Sequence, residues 1–290
     1  MDGIILINKE KGCTSHDVVY KIKKMLNEKV GHTGTLDPMA EGVLPLLVGK
    51  GTLCSKYLIN HDKTYKVKLE LGKKTTTADS EGEIIEEKQV DEKIFDKDFV
   101  CKVLKTFIGK QKQIPPIYSA IKVKGRKLYE YARRGQEVKI EPREIEIYSI
   151  GLLGIDLENK EIYFEVSCSK GTYIRSLCED IAEKLGTIGF MKGLQRIQVG
   201  AFYLNDTVTI GKIEENLSNE AFFEKHFISV EKLFENKEKI ELDDRKLQLF
   251  LNGVKLSFEK DNGIYRIYNK EKFIGIGVIN NKLLKRDIVI

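Results

Sequence analysis

Several common chemistries lack their residues in this chain of 290 amino acids. Its five cysteines, Cys13, Cys54, Cys101, Cys168 and Cys178, are odd in number and contain no Cys-x-x-Cys pair. That excludes a disulfide framework and a cysteine zinc site, and predicts reduced, mostly buried thiols. The histidines, His16, His32, His61 and His226, have no metal-ligand spacing, so no metal is expected. No Gly-x-x-x-x-Gly-Lys-Ser/Thr and no strand-linked Gly-x-Gly-x-x-Gly occurs, which removes the usual signs of ATP and dinucleotide binding. No apolar run approaches the roughly 18 residues of a membrane span. The opening MDGIILINKEKG has an acidic second residue and too short an apolar core for a secretory signal. A cytoplasmic protein without membrane contact is expected, and tandem repeats and low-complexity tracts are absent.

The composition, 41% hydrophobic and 32% charged, is that of a globular protein able to bury a large core. The formal charge of +5 is uneven: Lys110 to Lys139 carries +7, leaving the remainder at −2. Tyr118, Tyr129 and Tyr131 interleave with this basic stretch, the pattern of a phosphate-binding surface with stacking groups, although a solvated lysine-rich face has the same charge.

Hydrophobic periodicity predicts strands over Gly3–Asn8, Val43–Val48, Tyr65–Leu71, Glu144–Leu153, Glu161–Ser169 and Met191–Phe202. Helices are predicted over Thr14–Asn27, Gly51–Asn60, Phe95–Phe107 and Thr172–Leu185. Thr14 is the expected N-cap, with Asp17 completing a capping box. The spacing leaves Gly72–Gly82 as a polar loop and Ser218–Lys239 as a connector containing a helix. Between Lys110 and Lys139 it predicts a strand, a turn at Lys124-Gly125 and a short helix from Lys127 to Arg133. Gly263–Ile290 reads as a small β-rich appendage.

One stretch stands apart: Gly31 to Gly49, GHTGTLDPMAEGVLPLLVG, mounts Asp37 in a glycine-rich turn ahead of a buried strand. Gly31 and Gly34 permit conformations other residues resist, and Pro38 pushes Asp37 out of the helical region. An aspartate before proline is ordinarily a turn residue capping local donors. The whole string, however, resembles the nucleophile motif of the TruB family of tRNA pseudouridine-55 synthases.

Four further segments resemble the same family in order: Gly3–Lys9 with Gly12–Asp17, where Glu10 replaces the usual proline; Lys63-Thr64-Tyr65; Gln113–Val138 with Tyr118-Ser119-Ala120; and Lys170–Leu177 followed by Leu194-Gln195-Arg196. The resemblance implies an α+β pseudouridine synthase fold. Its parts would be a mixed, mostly antiparallel central sheet flanked by helices, an inserted thumb at about 110–139, a catalytic domain over 1–235 and a small PUA-like RNA-binding domain over 236–290. It implies an isomerase that converts a flipped uridine of the tRNA T-loop to pseudouridine without metal or cofactor. Asp37 would be the nucleophile, with Arg175 compensating its charge and lowering its pKa. Tyr65 would stack on the base and handle a proton, Tyr173 would line the opposite side and Leu194 would complete the apolar wall. His32 would fill the space left by the splayed loop bases. Arg266, Lys270, Lys272, Lys282, Lys285 and Arg286 are candidate contacts to the tRNA acceptor stem. The expected partner is the tRNA T-stem-loop, with no obligatory protein partner and a monomeric chain. The rival readings are a tRNA-folding module that binds and opens the elbow, and a related synthase of ribosomal or guide-directed RNA.

Overall fold

The computed structural model describes residues 1–290. Strand β1 (Gly3–Lys9) buries Ile4, Ile5, Leu6 and Ile7, so its apolar run serves a strand covered on both faces. Helix α1 (Ser15–Leu26) has the expected cap: the Thr14 hydroxyl accepts the Asp17 N–H, and the Asp17 carboxylate accepts the Thr14 N–H. It packs Val18, Val19 and Ile22 onto the sheet. Strands β2 (Val30–His32) and β3 (Glu41–Val48) flank the Asp37 turn, and β3 lies antiparallel to both β1 and β2. The helix expected over 51–60 is split into a 3-10 segment, Gly49–Cys54, and helix α2 (Ser55–Leu58).

Strand β4 (Lys63–Leu71) leads into a hairpin of β5 (Lys73–Thr75) and β6 (Ile84–Glu87), so part of the polar loop is strand. Helix α3 (Lys97–Lys105) and strand β7 (Gly109–Gln113) precede the projecting segment. There β8 (Lys122–Val123) and β9 (Arg126–Lys127) pair through Lys124-Gly125, both at positive φ, before helix α4 (Leu128–Ala132). That is the two-residue turn that positive φ favours. Strands β10 (Arg143–Asp156) and β11 (Glu161–Cys168), helix α5 (Ile174–Lys184) and strands β12 (Gly189–Val199) and β13 (Phe202–Tyr203) follow. The single strand expected over 191–202 is broken where Gly200 takes a φ of 55°.

After helix α6 (Ile210–Glu215), the presumed connector holds α7 (Glu220–His226), strand β14 (Phe227–Ser229) and α8 (Val230–Leu233). These elements are too short to show a period. The strand nevertheless closes one edge of a ten-stranded sheet of order β14-β1-β3-β12-β4-β11-β10-β7, with β2 on β3 and β13 on β12. Every pairing is antiparallel except β3 with β12, where Gln195 faces Glu41 and Arg196 faces Gly42. The sheet is therefore mixed and mostly antiparallel, as expected.

Strand β15 (Lys239–Glu241), helix α9 (Asp244–Leu251) and strands β16 (Leu256–Ser257), β17 (Gly263–Asn269), β18 (Lys272–Asn280) and β19 (Leu283–Val289) build a second, five-stranded sheet. It has its own core around Phe250, Ile267 and Leu284. A shared cluster joins Leu6, Leu47, Val199 and Phe234 to Ile276 and Ile288, and the Asp287 carboxylate accepts from Lys56 and the Tyr57 hydroxyl. No helix is long and apolar enough to cross a membrane, and all five cysteines are free.

Candidate active site

The turn between β2 and β3 is fastened from three directions. Ser15 Oγ donates to the Leu36 carbonyl at 3.0 Å and accepts the Leu36 N–H at 2.8 Å. Lys9 Nζ donates to the carbonyls of Pro38 at 3.2 Å and Ala40 at 2.6 Å. Arg196 donates through Nε to Val43 O at 2.8 Å and through Nη2 to Gly34 O at 3.0 Å. Lys9 and Arg196 are both fully enclosed, and burial pushes both pKa values down. Their carbonyl partners replace part of the lost hydration, without which a buried cation is costly. The glycines serve this packing: Gly34 has a φ of 90°, and at Gly42, with a φ of 107°, a Cβ would lie 2.2 Å from the Arg196 carbonyl. The turn is thus fixed before any ligand arrives.

Asp37 faces Arg175, on the first turn of α5. Arg175 Nε lies 3.1 Å from Asp37 Oδ2 and Nη2 lies 3.4 Å from Oδ1, a two-pronged contact. The same guanidinium reaches Asp79 Oδ2 at 3.4 Å, the Thr77 carbonyl at 3.3 Å and the Tyr118 carbonyl at 3.0 Å. Asp79 is buried and accepts from the Thr77 hydroxyl at 2.5 Å and the Glu81 N–H at 3.1 Å. Its neighbour Ala78 takes a φ of 60°, unfavourable for a residue with a Cβ. One arginine therefore stands between two carboxylates, one packed away and one still a third exposed.

The expected lowering of the Asp37 pKa is not what this geometry produces. Burial pushes the carboxyl above its ordinary value; Arg175 opposes that most strongly, Asp79 adds to it and Lys9 opposes it. Desolvation, reinforced by the nearby Asp79 charge, outweighs the salt bridge to Arg175.

Asp37 and Arg175 lie in a cavity of about 620 Å³ whose walls include Tyr65, Tyr173, Leu194 and Ser119. Five of the six expected site residues thus converge. The sixth, His32, ends β2 outside this wall; burial, then Arg196 and His16, hold its imidazole below the usual histidine value. Burial pushes the Tyr65 phenol up to about 12. The base of the projecting segment is tied to the start of α5: the Gln113 amide both donates to Tyr173 O at 3.0 Å and accepts the Tyr173 N–H at 2.8 Å, and Ser176 donates to Ile114 O at 2.9 Å. A larger groove of about 830 Å³, lined by Met25, Leu26, Phe223 and Phe227, brings no carboxylate against an arginine; chemistry rather than size selects the site. Sequence reasoning did not assign roles to Asp79, Lys9, Ser15 or Arg196. The hydroxyl- and acid-rich run Thr75–Gly82 was the available signal for Asp79.

Comparison with known proteins adds a consistent picture. Residues 23–174 match the model of the TruB family pseudouridylate synthase N-terminal domain, 175–235 that of the tRNA pseudouridylate synthase B C-terminal domain, and 239–285 that of the pseudouridine synthase II TruB C-terminal region. The tRNA pseudouridine synthase B of Clostridium kluyveri is 44% identical over 287 residues, 96% of each chain. That of Bacillus cytotoxicus is 44% identical over 268 residues, 89% of this chain and 85% of its own. A solved Cbf5-Nop10-Gar1 complex aligns with a TM-score of 0.67 at 28% identity, covering 95% of this chain and 78% of the other. An H/ACA RNP bound to a substrate RNA containing 2'-deoxyuridine aligns with a TM-score of 0.67 at 25% identity, covering 99% and 84%.

Proposed function

The chain belongs to the TruB family of pseudouridylate synthases, and from that premise we propose that it isomerises a uridine in the tRNA T-loop to pseudouridine with Asp37 as nucleophile. The observation that carries this reading is the Asp37–Arg175–Asp79 array at a cavity whose wall includes Tyr65 and Tyr173. The reaction breaks the bond from uracil N1 to the sugar, turns the base, and joins C5 to the same sugar carbon, with the C5 proton lost and N1 taking one up, so that the formula is unchanged. A carboxylate nucleophile divides that exchange into two easier steps.

Asp37 attacks as the anion. Arg175 keeps it charged against the pull of burial, and Asp79 with the Thr77 and Tyr118 carbonyls keeps Arg175 oriented toward it. The target base is extruded from its loop, as enzymes acting on bases require. Tyr65 and Tyr173 flank it, and Leu194 closes the apolar side. With its phenol raised to about 12, Tyr65 holds its proton at neutral pH and acts as a donor or a stacking face rather than a base. A neutral His32 suits the stacking role of a wedge beside the emptied base position. The rearrangement stays within one nucleotide and requires no cofactor.

The same reading divides the chain into a catalytic part, 1–235, which carries the thumb, and a PUA-like RNA-binding part, 236–290, in a monomer that acts on tRNA in the cytoplasm without an obligatory protein partner. The test is mass-spectrometric mapping of pseudouridine in an unmodified tRNA transcript incubated with purified protein and chelator. Product at one T-loop position, lost in Asp37→Asn, is the expected result; tight binding without product favours a tRNA-folding role, and product only in ribosomal RNA favours the rival synthase.

A further inference from the structure

Ser119 is buried at 5% exposure in the wall of the Asp37 cavity. Its carbonyl accepts the Tyr129 N–H at 3.2 Å. Its hydroxyl has no protein partner. Four other buried polar atoms share that condition, on His32, Thr33, His61 and Thr187, but none of those residues lines this cavity. Buried hydroxyls are ordinarily hydrogen-bonded, and an orphan at a functional site calls for an explanation. Ser119 also follows Tyr118, whose carbonyl takes the Arg175 guanidinium at 3.0 Å. The hydroxyl therefore stands on the same short segment as a contact to the arginine that holds Asp37.

Resting on the reading above, we infer that the Ser119 hydroxyl donates a hydrogen bond to a carbonyl oxygen of the flipped uracil and is a positioning residue for the turn of the base. Exchanging N1 for C5 at the sugar carbon is a half-turn about the axis through N3 and C6. That half-turn swaps O2 with O4 and leaves the acceptor–donor–acceptor edge of the base unchanged. A hydroxyl facing one carbonyl in the substrate therefore faces the other in the product, at the same place. It guides the base without opposing the rearrangement, and a rotatable donor tolerates the intermediate tilt.

The test measures single-turnover pseudouridine formation and tRNA Kd for wild type and Ser119→Ala, with transcripts carrying uridine, 2-thiouridine or 4-thiouridine at the target. Ser119→Ala should lower the saturated rate by about tenfold, the order expected for one lost hydrogen bond, with Kd within about twofold. One of the two thio substitutions should cost the wild type rate but cost Ser119→Ala much less, because sulfur is a poor acceptor and the bond is already gone. Thio losses on the wild type alone keep the proposal testable should Ser119→Ala fold poorly: no loss from either substitution overturns it. An alanine variant with the wild-type rate, one that loses only affinity, or losses that multiply fully for both thio substrates also overturn it. Wild type that forms no pseudouridine anywhere instead overturns the underlying functional reading.

Discussion

The projecting segment and the C-terminal sheet both carry many cations but use them in opposite ways. In the segment, Lys122, Lys124 and Arg126 flank an exposed hairpin, and only Lys139 is ion-paired, to Glu141 at 3.0 Å. In the C-terminal sheet, Lys270 pairs with Asp244 at 3.5 Å and Lys282 with Glu259 at 2.6 Å, while Arg266 donates to Lys237 O at 2.9 Å and Arg286 to Leu251 O. Of the six residues considered for the acceptor stem, Lys272 and Lys285 alone lack such a partner. An exposed pair adds little stability, yet its carboxylate cancels the field that would draw a phosphate. A count of basic residues therefore overstates the C-terminal surface and not the thumb. Lys9, Arg175 and Arg196 form a third class, buried and held by carbonyls or carboxylates, and they shape the pocket rather than attract RNA.

The contrast can be broken most sharply at the pocket. Asp37→Asn should lower the saturated rate of pseudouridine formation by at least about 10³-fold with tRNA affinity within about threefold, read by single-turnover kinetics and filter binding. Arg196→Met leaves the carbonyls of Gly34 and Val43 without a donor. It should cost about 3 kcal/mol in urea unfolding, whereas Lys282→Met should cost less than about 0.5 kcal/mol. On the surfaces, replacing Lys122, Lys124 and Arg126 by alanine should flatten the plot of log affinity against log salt by about 2 to 3. The matching triple at Lys270, Lys282 and Arg286 should change it by less than about 1. A larger effect from the second set would reverse the comparison.

The smallest effects concern pH. With Asp37 raised in the folded state, the acid limb of kcat/KM should lie above the value of about 3.9 for a free aspartate, and Arg175→Met should move it further up by removing the main counterweight. A raised carboxyl pKa means that the ionised group weakens the fold at neutral pH, and that this cost disappears as pH falls below the unfolded value. Asp37→Asn should therefore melt higher than wild type at pH 7, with the gap closing below about pH 4; an equal or lower melting point at pH 7 would contradict the direction of the shift.

The sequence disclosed the elements that carry a period or a cap. Helix α1 with its Thr14 cap, the buried strand after Asp37 and the Lys124-Gly125 hairpin all stand where patterning places them. Strand β14 was hidden because three residues cannot display an alternation, and it is set by pairing with Gly3–Ile5. At the site, the Asp37 string was legible because a run of nineteen residues carries much information, and Tyr65, Tyr173, Arg175 and Leu194 followed from ordered resemblance. Asp79 and Arg196 were not assigned, since Asp79 meets Arg175 and Arg196 meets the Val43 and Gly34 carbonyls, 153 and 162 positions away, only in the folded chain. The direction of the Asp37 shift was equally hidden, because it depends on depth of burial and on the nearby Asp79 charge.

The central claim is that turnover resides in the Asp37 array and that the thumb's unpaired cations supply more of the phosphate attraction than the paired ones of the C-terminal sheet. It is tested most directly by measuring saturated pseudouridine formation and tRNA Kd side by side for wild type, Asp37→Asn and the Lys122/Lys124/Arg126 triple variant on one transcript. The account predicts an Asp37→Asn protein that binds normally without product, and a triple variant that binds weakly but reaches the wild-type rate at saturation. Product from Asp37→Asn, or a triple variant with intact affinity and a reduced saturated rate, would contradict it.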